Sequence, residues 1–196
     1  MARPRTFDPA DALDAAQCVF QAKGYEAASV QDLVDATGLS RSSLYAAFGD
    51  KHGLYLAVLD RYADAGRQSL RDLCECDSPL GALRAHFERL AAEPAAEGPV
   101  PLGCLMANAA AERASCDPDT ARRAAESRRG TTETFERLVR DAQAAGEVGP
   151  NRDAGTLAHF LTGAVYGLHG LKKAGADANA LGAVVETTLA AVASGR

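Results

Sequence analysis

Apolar positions along this chain recur at three- and four-residue spacing, and no stretch alternates apolar and polar residues between turn signals. The pattern predicts an all-α fold. Asp8 followed by Pro9 has the chemistry of a helix start, with Asp11 near the positive end of the helix dipole. Leu13, Ala16 and Phe20, flanked by Ala12 and Val19, form its buried stripe, and Gly24 ends it. Ser29 is the N-cap of a second helix, with Asp32 as the capping-box acid and Val30, Leu33 and Val34 as one apolar face. Gly38 accepts the left-handed conformation that stops this helix at little cost. Leu39 packs back into the core, and Ser40 caps a third helix from Arg41 to about Ala47. Asp50 then caps a fourth helix, through Leu54, Val58 and Tyr62 to about Leu73.

Beyond the Cys-Glu-Cys-Asp-Ser-Pro break, Ser78 and Pro79 start a fifth helix with Leu80, Leu83, Phe87 and Leu90 inward. The following stretch contains Pro94, Pro99 and Pro101 and reads as loop. A short helix runs from about Gly103 to Ala114. Asp117 and Pro118 start the next, whose later face is Phe135, Leu138, Val139 and Ala142. From Asp153 to Lys172, Leu157, Phe160, Leu161, Ala164, Leu168 and Leu171 give a broad apolar stripe. Gly163, Gly167 and Gly170 interrupt it, each costing ~1 kcal/mol relative to Ala in a helix. Small residues at that spacing allow close helix approach, so a packed interface is expected there. Leu181, Val184, Val185, Thr188 and Val192 form the last stripe. The two final helices make either a core hairpin or half of a four-helix bundle with a second copy.

A helix, a short turn containing Gly and a second helix make a helix-turn-helix, here over residues 29 to 51. The second of these helices carries Arg41, Ser42, Ser43 and Tyr45 at positions the core does not need. Arginine bonds guanine edges or phosphates, serine bonds either, and a tyrosine hydroxyl contacts phosphate. Lys51 stands at a helix N-terminus, where backbone N–H groups already favour an anion, and the amides at Ser29 offer the same chemistry. The alternative is a helical hairpin whose Arg and Lys are merely solvated.

The segment LSRSSLYAAFGDKHGLYLAVLDRY, with the preceding SVQDLVDATG, resembles the DNA-binding segment of the TetR family of transcriptional regulators. The specific resemblance covers about residues 6 to 62; the remainder matches by length and helical layout. It implies an N-terminal three-helix helix-turn-helix domain over residues 1–50. A C-terminal helical bundle over residues 51–196 would then bind a ligand and dimerise. The implied protein is a homodimeric repressor on a palindromic operator in double-stranded DNA, released by a small-molecule effector.

Charge changes this picture. The net charge is −5, and residues 1 to 62 carry Arg3, Arg5, Lys23, Arg41, Lys51 and Arg61 against eight acids. A broad positive field therefore cannot drive DNA binding, which must rest on local placement of Arg3, Arg5, Arg41 and Lys51. Arg3 and Arg5, separated by Pro4, read equally as a basic arm or as a frayed terminus.

The C-terminal region offers Phe87, Cys104, Met106, Asn108, Phe135, Phe160, Tyr166 and His169 as ligand-lining candidates, each also readable as core or interface. Asn108 and His169 stand out as polar residues in apolar helices. Cys104 follows Pro101-Leu102-Gly103 at a predicted helix N-terminus, where the dipole lowers a thiol pKa, and a similar stretch occurs in a subset of the family. It reads as a redox switch or as an inert buried thiol. Five cysteines (Cys18, Cys74, Cys76, Cys104 and Cys116) with no secretory signal point to a reducing cytoplasm. No apolar run is long enough for a bilayer. The Cys74–Cys76 pair lacks further ligands for zinc, so neither a metal nor a cofactor is expected. No P-loop, nucleophile elbow, HExxH or dinucleotide fingerprint is present, which argues against an enzyme. A helical ligand-binding or interaction module that does not touch DNA is the alternative reading.

Overall fold

The computed structural model describes residues 8–75, 77–92 and 103–193, and among these it contains nine α-helices and no strand. In chain order they are α1 (Pro9–Ala27), α2 (Val30–Thr37), α3 (Arg41–Phe48), α4 (Lys51–Leu73), α5 (Pro79–Ala92), α6 (Leu105–Arg113), α7 (Pro118–Ala144), α8 (Ala154–Lys173) and α9 (Ala178–Ala193). The all-α expectation and every expected helix are found.

The helix starts follow the predicted capping chemistry. The Asp8 carboxylate accepts from Ala10 N–H at 2.8 Å with Pro9 at the first helical position. Ser29 and Asp32 form a reciprocal capping box, at 3.1 Å from Asp32 N–H to Ser29 Oγ and 2.9 Å from Ser29 N–H to the Asp32 carboxylate. Ser40, Asp50, Ser78 and Asp153 each accept a backbone N–H three residues on. Gly38 adopts φ 67° and closes α2 by donating its N–H to the Val34 carbonyl. Gly24, expected to end α1, breaks it instead: at φ 78° it is non-helical, and hydrogen-bonded turns resume as far as Ala27.

Two compact units divide the chain, and not at residue 50. The first joins residues up to Ala63 with Leu105–Ala124, and the second joins Asp64–Cys104 with Ala125 onward. The expected split is into residues 1–50 and 51–196; in the packing, the first half of α4, α6 and the first turns of α7 group with α1 to α3. Burial explains this: α6 packs on α1 and contributes Leu105, Met106 and Ala109, all at most 2% exposed. The other buried residues of this unit include Ala12, Ala16, Phe20, Leu33, Leu44, Leu54, Tyr55, Val58 and Leu59. The Phe20 and Tyr55 rings meet edge to face with centroids 4.9 Å apart.

In the second unit one apolar cluster is built from the end of α4 and from α5, α7, α8 and α9. Phe87 and Phe135 are fully buried with ring centroids 6.2 Å apart. Thr132 and Thr162, both buried, have hydroxyl oxygens 3.0 Å apart, and each has a carbonyl one turn back in its own helix within reach. With one proton on each hydroxyl, one threonine donates to its helix carbonyl and accepts from the other, so both buried hydroxyls have a partner. Helix α8 departs from the single stripe expected of it. Leu157, Leu161 and Leu168 are buried, whereas Phe160 is 44% and Leu171 39% exposed. Its apolar residues thus occupy two faces, of which only one is covered among the described residues.

Candidate nucleic-acid interface

Helices α2 and α3 are each eight residues long, and their short turn is set by Gly38 and the cap at Ser40. Leu33 and Leu44 anchor them inward, at 2% and 3% exposure. That leaves Arg41, Ser42 and Tyr45 exposed on α3, with Ser43 half-buried. The Arg41 guanidinium lies 6.0 Å from the centre of the Tyr45 ring, one turn along, a weak cation–π contact that biases both side chains to one face. The Ser40 hydroxyl lies 2.9 Å from those of both Ser42 and Ser43, so the three form a local hydroxyl cluster.

Ser29 is occupied in its own capping box. There Lys23 and the Ser29 amide and hydroxyl bond Asp32 and hold its carboxyl down at about 2. Lys51, half-buried, places its ammonium 4.4 Å from the centre of the Tyr25 ring and 3.5 Å from the Glu26 carbonyl. Arg3 and Arg5 lie outside the described residues.

Sequence reasoning did not find the polar network that ties α6 to the end of α1. Glu112 accepts the backbone N–H groups of Tyr25 and Glu26, both at 2.9 Å. The Arg113 guanidinium stacks on Tyr25 at 4.2 Å, pairs with Glu26 and reaches Asp117 at 3.4 Å. His52 Nε2 lies 2.8 Å from the Asp117 carboxylate, which also accepts the Thr120 hydroxyl at 2.8 Å. Burial would raise the Asp117 carboxyl, but the bonds from His52 and Thr120 outweigh it and hold the pKa well below the usual range. Arg123 adds a two-pronged pair with Asp60, at 2.8 and 3.0 Å. No local signal marks these partners, since Glu112 lies 87 residues from Tyr25.

The ligand-lining candidates divide between the two units. Phe87 and Phe135 are core neighbours in the second unit, and Cys104 is buried there. Tyr166 and His169 are half-buried on α8, with burial raising the Tyr166 hydroxyl above its ordinary pKa. Phe160 is exposed. Met106, buried, and Asn108, half-buried, belong to the first unit through α6. Among the described residues no cluster of three or more His, Cys, Asp or Glu side chains is placed to hold a metal. No helix among them is long and apolar enough to cross a membrane.

Residues 12–58 match the profile of the bacterial regulatory proteins of the tetR family, and residues 79–188 match the tetracyclin repressor-like C-terminal domain. The chain is 35% identical over 189 residues to the HTH-type transcriptional repressor ComR of Escherichia coli K12, covering 95% of this chain and 90% of the relative. It is 36% identical over 104 residues to the HTH-type transcriptional repressor BdcR of the same strain, covering 53% of each. Among solved structures, a cysteine-substituted form of the TetR family transcriptional regulator CifR, complexed with 26-base-pair operator DNA, superposes with a TM-score of 0.84. That likeness is at 30% identity and covers 97% of this chain and all of the other.

Proposed function

Because the chain belongs to the TetR family of transcriptional regulators, we propose that it is a repressor that binds a palindromic operator as a homodimer and is released by a small-molecule effector. The observation that carries this reading is the α2–turn–α3 unit, whose outer helix presents Arg41, Ser42 and Tyr45 while Leu33 and Leu44 lock it from behind. Support comes from the CifR structure, whose protein is complexed with operator DNA. In this reading α3 enters the major groove, Arg41 and Ser42 meet base edges, and Tyr45 with the N-terminal amides of α2 meets phosphates. Lys51 contributes its charge at the start of α4 while bracing Tyr25. Arg3 and Arg5 are proposed to reach the backbone or the minor groove.

The uncovered face of α8 supports the homodimer. Phe160 and Leu171 are exposed on it, and a Cβ added at Gly163, Gly167 or Gly170 would meet nothing within 4 Å. Packing among the described residues gives these glycines no purpose, whereas a second copy seated on α8 does. The effector site is proposed to draw on Phe87, Phe135, Tyr166 and His169, with Cys104, Met106, Asn108 and Phe160 as the remaining candidates. A ligand acts by preferring the state whose two heads mismatch the half-site separation. The protein acts in the cytoplasm and without enzymatic turnover.

Selection of bound duplexes from a random DNA library tests the reading. A palindromic consensus is the expected result; absence of enrichment points instead to a helical binding module that leaves DNA alone.

A further inference from the structure

Two open grooves occur in the second unit, and their charges are organised differently. The first, about 330 Å³, is lined by Ser78, Arg84, Glu147 and Glu186 with small and apolar neighbours. Its charged groups are mutually engaged: Arg84 pairs with Glu186 at 2.7 Å and with Glu88 at 3.3 Å, and Glu147 accepts the Ser78 hydroxyl and the Leu80 amide. Nothing there awaits a partner.

The second groove, of about 280 Å³, lies between the end of α4 and the middle of α7. Arg67 and Arg71 stand one turn apart on α4, Glu133 and Arg137 stand one turn apart on α7, and Leu70 forms the floor at 9% exposure. Gly130 faces this groove, and a Cβ there would meet nothing within 4 Å, so the missing side chain leaves the groove open. Three guanidiniums against one carboxylate make a local positive excess in a chain whose net charge is −5. Arg67 is paired with Asp64. Arg71 is held by the neutral Gln68 amide at 2.6 Å, and the strongest partner of Arg137 is the Cys74 side chain. Glu133, the one acid of the lining, is 3.9 Å from Arg129. The Asp141 carboxylate adds a more distant charge to Arg137, but among the described residues neither Arg71 nor Arg137 is closed into a carboxylate ion pair, and both are exposed.

We propose that this groove binds a small oxyanion-bearing molecule, a dicarboxylate or a phosphate, between Arg71 and Arg137, with Arg67 adding charge at the rim. Guanidinium forks match carboxylate and phosphate oxygens in geometry as well as charge. A volume of about 280 Å³ is enough to hold a small metabolite. The site is distinct from the aromatic positions proposed for the effector, and it does not depend on the DNA-binding reading.

Calorimetric titration of the full-length protein with succinate, and separately with inorganic phosphate, each against sodium chloride at matched ionic strength, tests the proposal. Saturable binding of one of the two is expected, and which one binds identifies the anion class. Arg71→Gln together with Arg137→Gln should weaken it by about tenfold or more, since charge-assisted bonds to a single anion are lost from both sides. Arg129→Gln, on the same helix but outside the lining, should change it by less than about twofold. All three positions are exposed, so folding is preserved. Absence of saturable binding for both anions, or binding that survives the double substitution, overturns the site.

Discussion

Glu112 accepts the backbone N–H of Tyr25 at 2.9 Å. Its other carboxylate oxygen takes the N–H of Glu26 at the same distance, so one side chain from α6 closes the break in α1. Gly24 makes this possible. Its φ of 78° turns two successive amides outward, and a Cβ there would sit 2.7 Å from the Glu112 carboxylate. Glu112→Gln should cost about 1–3 kcal/mol, because one of two charge-assisted acceptors is replaced by a donor. Gly24→Ala should cost at least as much, since the strain of positive φ adds to the clash. Thermal unfolding should show both as midpoints lowered by several degrees; an unchanged midpoint for Glu112→Gln refutes the contribution of this contact.

Arg41 and Lys51 differ in what they can report. Arg41 is exposed beside Tyr45, so Arg41→Ala should weaken operator binding by about 1–3 kcal/mol and relax base preference at the position it reads. Lys51→Ala should weaken binding to all sequences and reduce the salt slope by about one. Because Lys51 also lies over Tyr25, it should lower the unfolding midpoint as well, whereas Arg41→Ala should not. Anisotropy titrations over a range of salt concentrations separate the two. Equal loss on specific and random duplexes for Arg41→Ala would remove its role in base reading.

The open face of α8 makes a prediction with opposite signs for fold and assembly. A Cβ at Gly163 or Gly167 would meet nothing within 4 Å, and Gly163→Leu and Gly167→Leu each remove a helix-interior glycine, so the isolated subunit should gain up to ~1 kcal/mol each. In a close-packed interface the same side chains have no room. Sedimentation velocity should then show the dimer shifted toward monomer. A dimer unaffected by both substitutions would place the interface elsewhere.

His86 carries a pH dependence. Burial first, then the positive charges of Arg89 and His169, push its imidazole down to about 4 from the usual 6.5. The folded protein therefore keeps His86 neutral while the unfolded chain takes up a proton below about 6.5. Stability from this group is complete above that pH and falls as pH drops toward about 4, by up to about 3 kcal/mol in all. The unfolding midpoint should decline between pH 7 and 5, and His86→Gln should flatten that decline. Parallel declines in both proteins would assign the effect to other groups.

Helix starts were legible because capping is local. Ser29, Asp32, Ser40 and Asp50 declare themselves within three residues of the N–H they bond. The α2–turn–α3 unit was readable for the same reason, since Gly38 and the Leu33 and Leu44 anchors lie inside one short window. The assignment of α6 to the first unit was not. It depends on Glu112, Arg113 and Asp117 meeting Tyr25, Glu26 and His52 across 65 to 87 residues, and such pairings leave no periodicity in sequence. Likewise, spacing marked Phe160 and Leu171 as apolar without telling which side of α8 the chain itself would cover.

By itself, then, the amino-acid sequence determined the helices found among the described residues, the caps at Asp8, Ser29, Ser40, Asp50, Ser78 and Asp153, and the helix-turn-helix, because turns, caps and apolar periodicity act over a few residues. Only the tertiary structure decided which unit α6 joins, which face of α8 stays open, and that Arg71 and Arg137 share a groove. Those outcomes depend on burial and charge pairing between distant segments, whose free energy exists only once the helices have packed.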